Sequence, residues 1–318
     1  MEHELQIRGL RLHVREAGDG PPLLLVNGIG AHVGMWRPLE QTLPDVRVIS
    51  YDSPGTGRSE TPLLPLTIPT LAGLAESVLD ALGCEQVDVL GYSYGGIVAQ
   101  HLARRAPERI RRLVLAATTP GWGGVAGSLA TMAHMSTPLR YYSRSYYDAT
   151  IADIAGGRAR SDGEWLERHA VERQAHPPSP LGYAWQLAAL TVPPGTLPWL
   201  HELPHPTLVL AGDDDPLLPA ANALLLANRI PRARLLLAPG EGHLLLLDPD
   251  SAAHPAIRDF IRCDDLAGSE ACARTIEVDD AMVEAALREE RDAHPVALLN
   301  SMTRAVFGRA RVATAVGW

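Results

Sequence analysis

Residues 87–96 read Val87-Asp88-Val89-Leu90-Gly91-Tyr92-Ser93-Tyr94-Gly95-Gly96, and helical spacing follows over Ile97–Arg104. An apolar β-rich run, a serine flanked by glycines and a helix in succession predict a strand, a sharp turn and a helix, with Ser93 at the apex. A turn this tight brings strand and helix too close for a Cβ at positions 91 and 95, which accounts for the two glycines. It also forces the serine into a strained backbone conformation, with its Oγ exposed at the C-terminal edge of a sheet. A bare Gly-x-Ser-x-Gly string arises often by chance. Its position between a strand pattern and a helix pattern gives it meaning.

Outward from this elbow the chain alternates. Leu5–Ile7 and Leu10–Val14 read as a hairpin around Gly9, Pro22–Val26 and Val46–Tyr51 as strands, and Met35–Leu43 and Leu71–Leu82 as helices. Leu113–Ala117, Thr207–Leu210 and Arg234–Leu237 are further strands, with helices at Ala220–Arg229 and about Ser251–Ile261. The alternation predicts an α/β fold: a mostly parallel sheet of eight strands, covered by helices on both faces.

Residues 121–198 interrupt that rhythm, so the core is expected in two parts, 1–120 and 199–263. The intervening stretch is rich in glycine, proline and aromatic residues and has no strand alternation. It is expected to form a helical lid over Ser93, at the sheet edge where α/β folds bind ligands. Nine of the chain's 16 aromatic residues lie in this stretch or at its edge. They suit an apolar pocket lining, or equally the attachment of a small helical subdomain. Residues 264–318 form a C-terminal helical extension, with helical patterns at Asp279–Arg291 and Pro295–Phe307. It either packs on the body or presents the Val296, Leu299, Val306 and Phe307 stripe to a surface or a second copy.

Composition narrows the chemistry. The chain has 318 residues, 46% of them hydrophobic, and a net charge of −9. No basic run interleaves with aromatics, which argues against nucleic acid as a partner. All 28 basic residues are arginine, so a Walker-type phosphate loop, a Schiff-base lysine and a pyridoxal-phosphate lysine are all excluded. No signal-peptide pattern opens the chain and no apolar run approaches the ~18 residues of a membrane span. The three cysteines (Cys84, Cys263 and Cys272) lack ligand spacing and suit free thiols in a reducing cytoplasm.

A serine hydroxyl needs a general base, and the base needs a carboxylate to orient it. In a strand–turn–helix context these follow in the order Ser, Asp, His, each in a loop just after a strand. Thr207–Leu210 leads into Gly212-Asp213-Asp214-Asp215-Pro216-Leu217-Leu218-Pro219, and Arg234–Leu237 into Gly240-Glu241-Gly242-His243. Asp215 is chosen among the three aspartates because hydrolase acid loops read Gly-x-x-Asp with a proline four residues on, here Pro219. His243 is the histidine in the right place. The oxyanion donors are expected to be the backbone N–H groups of Tyr94 and of Ile29, in Asn27-Gly28-Ile29-Gly30.

Two other strings compete. Gly28-x-Gly30-x-x-x-Gly34 with Asp52 imitates a dinucleotide fingerprint, but its glycine spacing is one residue too long. His201-Glu202-Leu203-Pro204-His205 matches a zinc-protease string, but Pro204 would break the helix that the motif requires.

With these residues placed, the chain resembles an α/β-hydrolase, and more narrowly the intracellular depolymerases of medium-chain-length poly(3-hydroxyalkanoates). The likeness runs over about residues 20–260 and rests on several segments: Asn27-Gly28-Ile29-Gly30-Ala31, Leu113–Thr118, Gly182-Tyr183-x-Trp185-Gln186-Leu187, Trp199-Leu200-His201 and Pro206–Leu217. It implies ester hydrolysis with Ser93 as nucleophile, His243 as base and Asp215 as its orienting acid, and with no metal or organic cofactor. Asn27, Gly28, Tyr183 and Trp185 are the residues expected against substrate, and a polyester granule surface is the expected partner. The elbow departs from the family in reading Tyr92-Ser93-Tyr94 where Val-Ser-Trp is expected, so that Tyr94 is expected to leave more room beside Ser93. The alternatives are a carboxylesterase or lipase acting on smaller esters, and a ligand-binding protein on the same fold with slow turnover.

Overall fold

The computed structural model describes residues 1–192 and 195–293. Its eight strands are β1 (Glu2–Ile7), β2 (Leu10–Ala17), β3 (Pro22–Val26), β4 (Arg47–Tyr51), β5 (Val87–Tyr92), β6 (Ile110–Ala116), β7 (Thr207–Gly212) and β8 (Ala233–Ala238). They form one sheet in the order β1-β2-β4-β3-β5-β6-β7-β8. β2 pairs antiparallel with β1 and with β4, and the remaining pairings are parallel. These are the strands that the apolar runs predict, with small shifts at their ends. The first hairpin turns on Arg8 (φ 49°) and Gly9 (φ 82°), the double left-handed geometry that matches strand twist.

Helices cover both faces. α1 (Arg37–Gln41), α2 (Ile68–Ala81) and α3 (Tyr94–Arg105) precede β6; α4 (Leu129–Met135), α5 (Leu139–Tyr142), α6 (Arg144–Ala155), α7 (Gly163–Ala175) and α8 (Pro180–Leu190) lie between β6 and β7. α9 (Ala221–Arg229), α10 (Ala253–Arg262), α11 (Glu270–Arg274) and α12 (Asp280–Ala293) complete the described chain. Alternation along the strands divides the core. Leu24, Val26, Val89, Leu113 and Leu115 pack in one cluster with α2 and α3, whereas Leu23, Leu25, Leu90 and Val114 pack in another with α10. α10 shows why it is a helix: Ala253, Ala256, Ile257, Phe260 and Ile261 are buried, the spacing of a single apolar stripe.

The chain leaves β3 for neighbours on opposite sides, β4 on one and β5 on the other. The loops after β3 and β5 therefore open into one crevice, at the point where ligands bind in such sheets. Among the described residues no helix is long and apolar enough to cross a membrane.

Residues 264–293 pack on the body. Ile276 exchanges two backbone hydrogen bonds with Leu235 (2.8 and 2.9 Å), which covers the free edge of β8. Val283 of α12 is buried with Val125, Ala221 and Leu225. The Pro295–Phe307 pattern lies outside the described residues. Deleting residues 264–318 should expose the α9 face and the β8 edge. We expect a loss of about 3 kcal/mol from uncovered apolar side chains, read by calorimetry as a melting temperature lower by roughly 5–10 °C. An unchanged melting temperature would show that the extension adds no stability.

Candidate active site

Ser93 sits between β5 and α3 with φ 54° and ψ −121°, a conformation that costs a non-glycine residue on the order of 1–3 kcal/mol. Its surroundings over-determine it. A Cβ on Gly95 would lie 2.1 Å from Val26 O, and one on Gly91 would lie 2.6 Å from the Ala99 Cβ. The Ser93 N–H donates to Ala116 O (2.9 Å), and Thr118 Oγ1 donates to Ser93 O (2.6 Å).

The structure brings the three residues chosen from the sequence into one row. His243 Nε2 is 3.0 Å from Ser93 Oγ, and His243 Nδ1 is 2.8 Å from Asp215 Oδ2. The other carboxylate oxygen of Asp215 accepts the N–H groups of Leu217 and Leu218, both at 2.9 Å. All three residues are buried. Tyr92 stacks at a tilt on the imidazole, 5.4 Å between centroids, and donates its OH to His243 O (2.8 Å). An imidazole held this way can take a proton from the hydroxyl while the carboxylate keeps its tautomer and orientation.

The N–H groups of Ile29 and Tyr94 carry no partner among the described residues. Gly28 lies against the nucleophile, since a Cβ there would be 3.4 Å from Ser93 Cβ. The loop that carries Ile29 is fastened from several sides. Asn27 Nδ2 donates to Tyr51 O (3.0 Å), the Gly30 N–H donates to Gln186 Oε1 (2.8 Å), and Tyr141 OH donates to Ile29 O (2.6 Å). Asp52, whose buried carboxyl is pushed up to about 6 by desolvation, accepts the Val33 N–H (2.7 Å).

A small cavity of about 30 Å³ opens on Ser93 and His243, lined also by Gly28, Ile29, Tyr92 and Leu217, and by Met135, Arg140, Tyr141, Ile151, Ile154 and Arg173 of the helical insertion. Of the residues expected against substrate, Gly28 lines it. Asn27, Tyr183 and Trp185 do not: Asn27 holds Tyr51 O, Tyr183 OH donates to Met135 O (2.6 Å), and Trp185 Nε1 donates to Pro62 O (3.2 Å). Nor does the Tyr94 ring leave room beside Ser93. It is buried in the α2–α3 core cluster and does not line the cavity. The zinc-protease string lies on a short 3-10 turn, Leu200–Glu202, with His205 Nε2 2.9 Å from Pro107 O.

Comparison with known proteins agrees with this fold. The profile of the alpha/beta hydrolase fold matches residues 21–250. A poly(3-hydroxyalkanoate) depolymerase of Ectopseudomonas oleovorans is 41% identical over 261 residues, covering 81% of this chain and 91% of that protein. The chain belongs to the α/β-hydrolase family. A putative carbamate hydrolase of Azorhizobium caulinodans is 33% identical, with coverage of 69% and 82%. A hydrolase of Pseudomonas aeruginosa of known structure superposes with a TM-score of 0.70 at 30% identity, covering 82% of this chain and 98% of that one.

Four residues tie this α/β-hydrolase together at the site, Gln186, Tyr141, Arg140 and Arg173; the sequence marked Gln186 only as part of the Gly182–Leu187 segment and gave none of the four a role. The one local signal was a polar residue at a buried helical position, as at Gln186. His32 belongs with them. Its Nε2 is 2.8 Å from Glu172 O on α7, its Nδ1 accepts the Gly34 N–H (3.2 Å), and burial holds its pKa down to about 4. The unfolded chain takes up a proton there near pH 6.5 that the folded one refuses. The stability from neutral His32 is therefore complete above 6.5 and falls away between 6.5 and 4. At pH 5 the loss is about 2 kcal/mol from this residue. Denaturant unfolding at pH 7.5 and pH 5 should show a drop smaller by that amount in His32→Gln than in the natural chain. Equal drops would uncouple His32 from the acid sensitivity.

Proposed function

We propose that this α/β-hydrolase is a serine ester hydrolase acting on 3-hydroxyacyl esters, specifically medium-chain-length poly(3-hydroxyalkanoates) and their oligomers. The observation that carries the reading is the continuous hydrogen-bonded row Ser93–His243–Asp215 (3.0 and 2.8 Å) on a strained elbow. The 41% identity to a poly(3-hydroxyalkanoate) depolymerase supports the choice of substrate. Ser93 Oγ attacks the ester carbonyl while His243 takes its proton, and Asp215 stabilises the imidazolium that forms. The N–H groups of Ile29 and Tyr94 receive the developing oxyanion. The histidine returns the proton to the leaving alkoxide, and water then releases the acyl group by the same route. The setting that this reading implies is a polyester granule in the cytoplasm.

The cavity of about 30 Å³ has room for about two water molecules, too little for an eight-carbon acyl group. Residues 121–198 therefore act as a lid that shifts when a medium-chain substrate enters. The same tightness favours a second reading, a carboxylesterase of small esters.

Ser93→Ala and His243→Ala should each cut ester turnover by about 10⁴-fold or more with fold preserved. Asp215→Asn should also lose severely. Asp213→Asn should change little, because Asp213 Oδ1 accepts the Gly240 N–H (2.6 Å), away from the row. Steady-state kinetics on a chromogenic ester decides, and a severe loss confined to Asp213 would move the acid within the loop.

Acyl chain length separates the two readings. Each buried CH₂ gains about 0.8 kcal/mol, a little under fourfold. On the depolymerase reading kcat/KM climbs from two-carbon to roughly eight-carbon esters, and poly(3-hydroxyoctanoate) is hydrolysed in preference to poly(3-hydroxybutyrate). A maximum at acetate, with no acid released from either polymer, would establish the small-ester reading instead.

A further inference from the structure

Two arginines of the helical insertion, Arg140 and Arg173, line the same small cavity as Ser93 and His243. Both are buried, at 2% and 7% exposure. Guanidinium groups in proteins are always charged, and buried ones are ordinarily paired with carboxylates. Among the described residues no carboxylate pairs with either. Arg140 Nη1 donates to Tyr183 OH (2.7 Å) and to Thr137 O (3.2 Å), and Arg173 Nη1 donates to Tyr141 OH (2.9 Å). The rings of Tyr141 and Tyr183 supply the remaining stabilisation, with the Arg140 guanidinium carbon 4.7 and 5.2 Å from their centroids and that of Arg173 5.0 Å from Tyr141. Arg173 Nε is buried without a partner. The edge of this guanidinium that matches a carboxylate in bidentate fashion is thus unspent.

We propose that Arg140 and Arg173 receive a free carboxylate carried by the ester substrate. The inference rests on the ester-hydrolase reading above and narrows its substrate to esters of a 3-hydroxyacid whose own carboxyl group is free. This is the chemistry of the carboxyl end of a 3-hydroxyacyl polyester or oligoester. In such a substrate the carboxylate carbon is separated from the ester oxygen by two carbons, a span short enough for Ser93 and the arginines on the same cavity wall to hold both ends once the insertion has shifted. Each turnover breaks the acyl–oxygen bond of the terminal unit. Water supplies a hydroxyl to the acyl carbon and a proton to the alkoxide, and one 3-hydroxyacid leaves with the carboxylate it brought. Release then proceeds unit by unit from the carboxyl end.

The test uses the dimer 3-hydroxyoctanoyl-3-hydroxyoctanoate as the free acid and as its methyl ester, which differ only in that charge. Calorimetric binding to the full-length Ser93→Ala chain should favour the free acid by about tenfold or more, the scale of a charged hydrogen bond. In Ser93→Ala/Arg173→Gln the ratio should collapse toward one. Because the readout is a ratio within one protein, a general weakening cancels. Equal affinity for the two forms in Ser93→Ala overturns the proposal even if the double variant does not fold. A preference that survives Arg173→Gln and Arg140→Gln alike overturns it too. Turnover of either dimer by the natural chain reports separately on the hydrolase reading.

Discussion

The contact on which the C-terminal edge of the sheet depends is the approach of Gly95 to the carbonyl oxygens of Val26 and Asn27. A Cβ at residue 95 would lie 2.1 and 2.6 Å from them, so the first turn of α3 reaches β3 only because residue 95 has no side chain. That approach brings the start of α3, with Ser93 just before it, against the end of β3 and the loop that carries Ile29. It also fixes Ser93 at positive φ, since the chain must reverse within one residue. The strain persists because the Ser93 N–H and C=O are both bonded to the end of β6 and the residues after it. A nucleophile on a regular strand or helix would have its hydroxyl packed against neighbours on the same face.

A second close approach holds the base and the acid. The turn that ends α6 packs under both of their loops. The His243 N–H donates to Ala155 O (2.7 Å), the Gly157 N–H donates to Asp214 Oδ2 (2.7 Å), and a Cβ on Gly242 would stand 2.0 Å from Ala155 O. The insertion that lines the cavity therefore also positions the imidazole. On the lid reading this constrains the movement. The C-terminal end of α6 must stay in place for the row to survive, so displacement falls on α4 and α5, which carry Met135, Arg140 and Tyr141 into the cavity wall.

The sheet, the elbow and the three residues of the row were legible because each announces itself within a few positions: an apolar run, a turn residue, a loop after a strand. The insertion over 121–198 was legible as helical, but its individual helices were not. Four of its five helices begin at Ser128, Ser143, Asp162 and Ser179, each accepting the N–H three residues on, which is a readable start signal. Their apolar faces, however, are broken by buried polar groups. Arg140, Arg173 and Gln186 are buried for reasons that lie far away in sequence, as with Gln186 and the Gly30 N–H, 156 residues apart. The aromatic content divides between the two roles that the sequence left open. Tyr183 and Trp185 bond through their polar atoms to backbone carbonyls, so they join the insertion to itself and to the body, while Tyr141 of the same insertion lines the cavity.

The run Asp213-Asp214-Asp215 shows how local identity and tertiary role separate. Three adjacent carboxylates repel one another, so each needs a distinct partner to be kept. Asp213 accepts the Gly240 N–H (2.6 Å) and joins the loop after β7 to the loop after β8. Asp214 accepts the Gly157 N–H and lies 3.0 Å from Arg160 Nε, which joins the same loop to the insertion. Asp215 turns inward, its side chain wholly buried, and meets His243. The first two fix the loop in two directions, which leaves the third carboxylate no freedom except the one that orients the imidazole. The sequence pattern marks the third as the acid; the structure adds that its two neighbours make that position rigid.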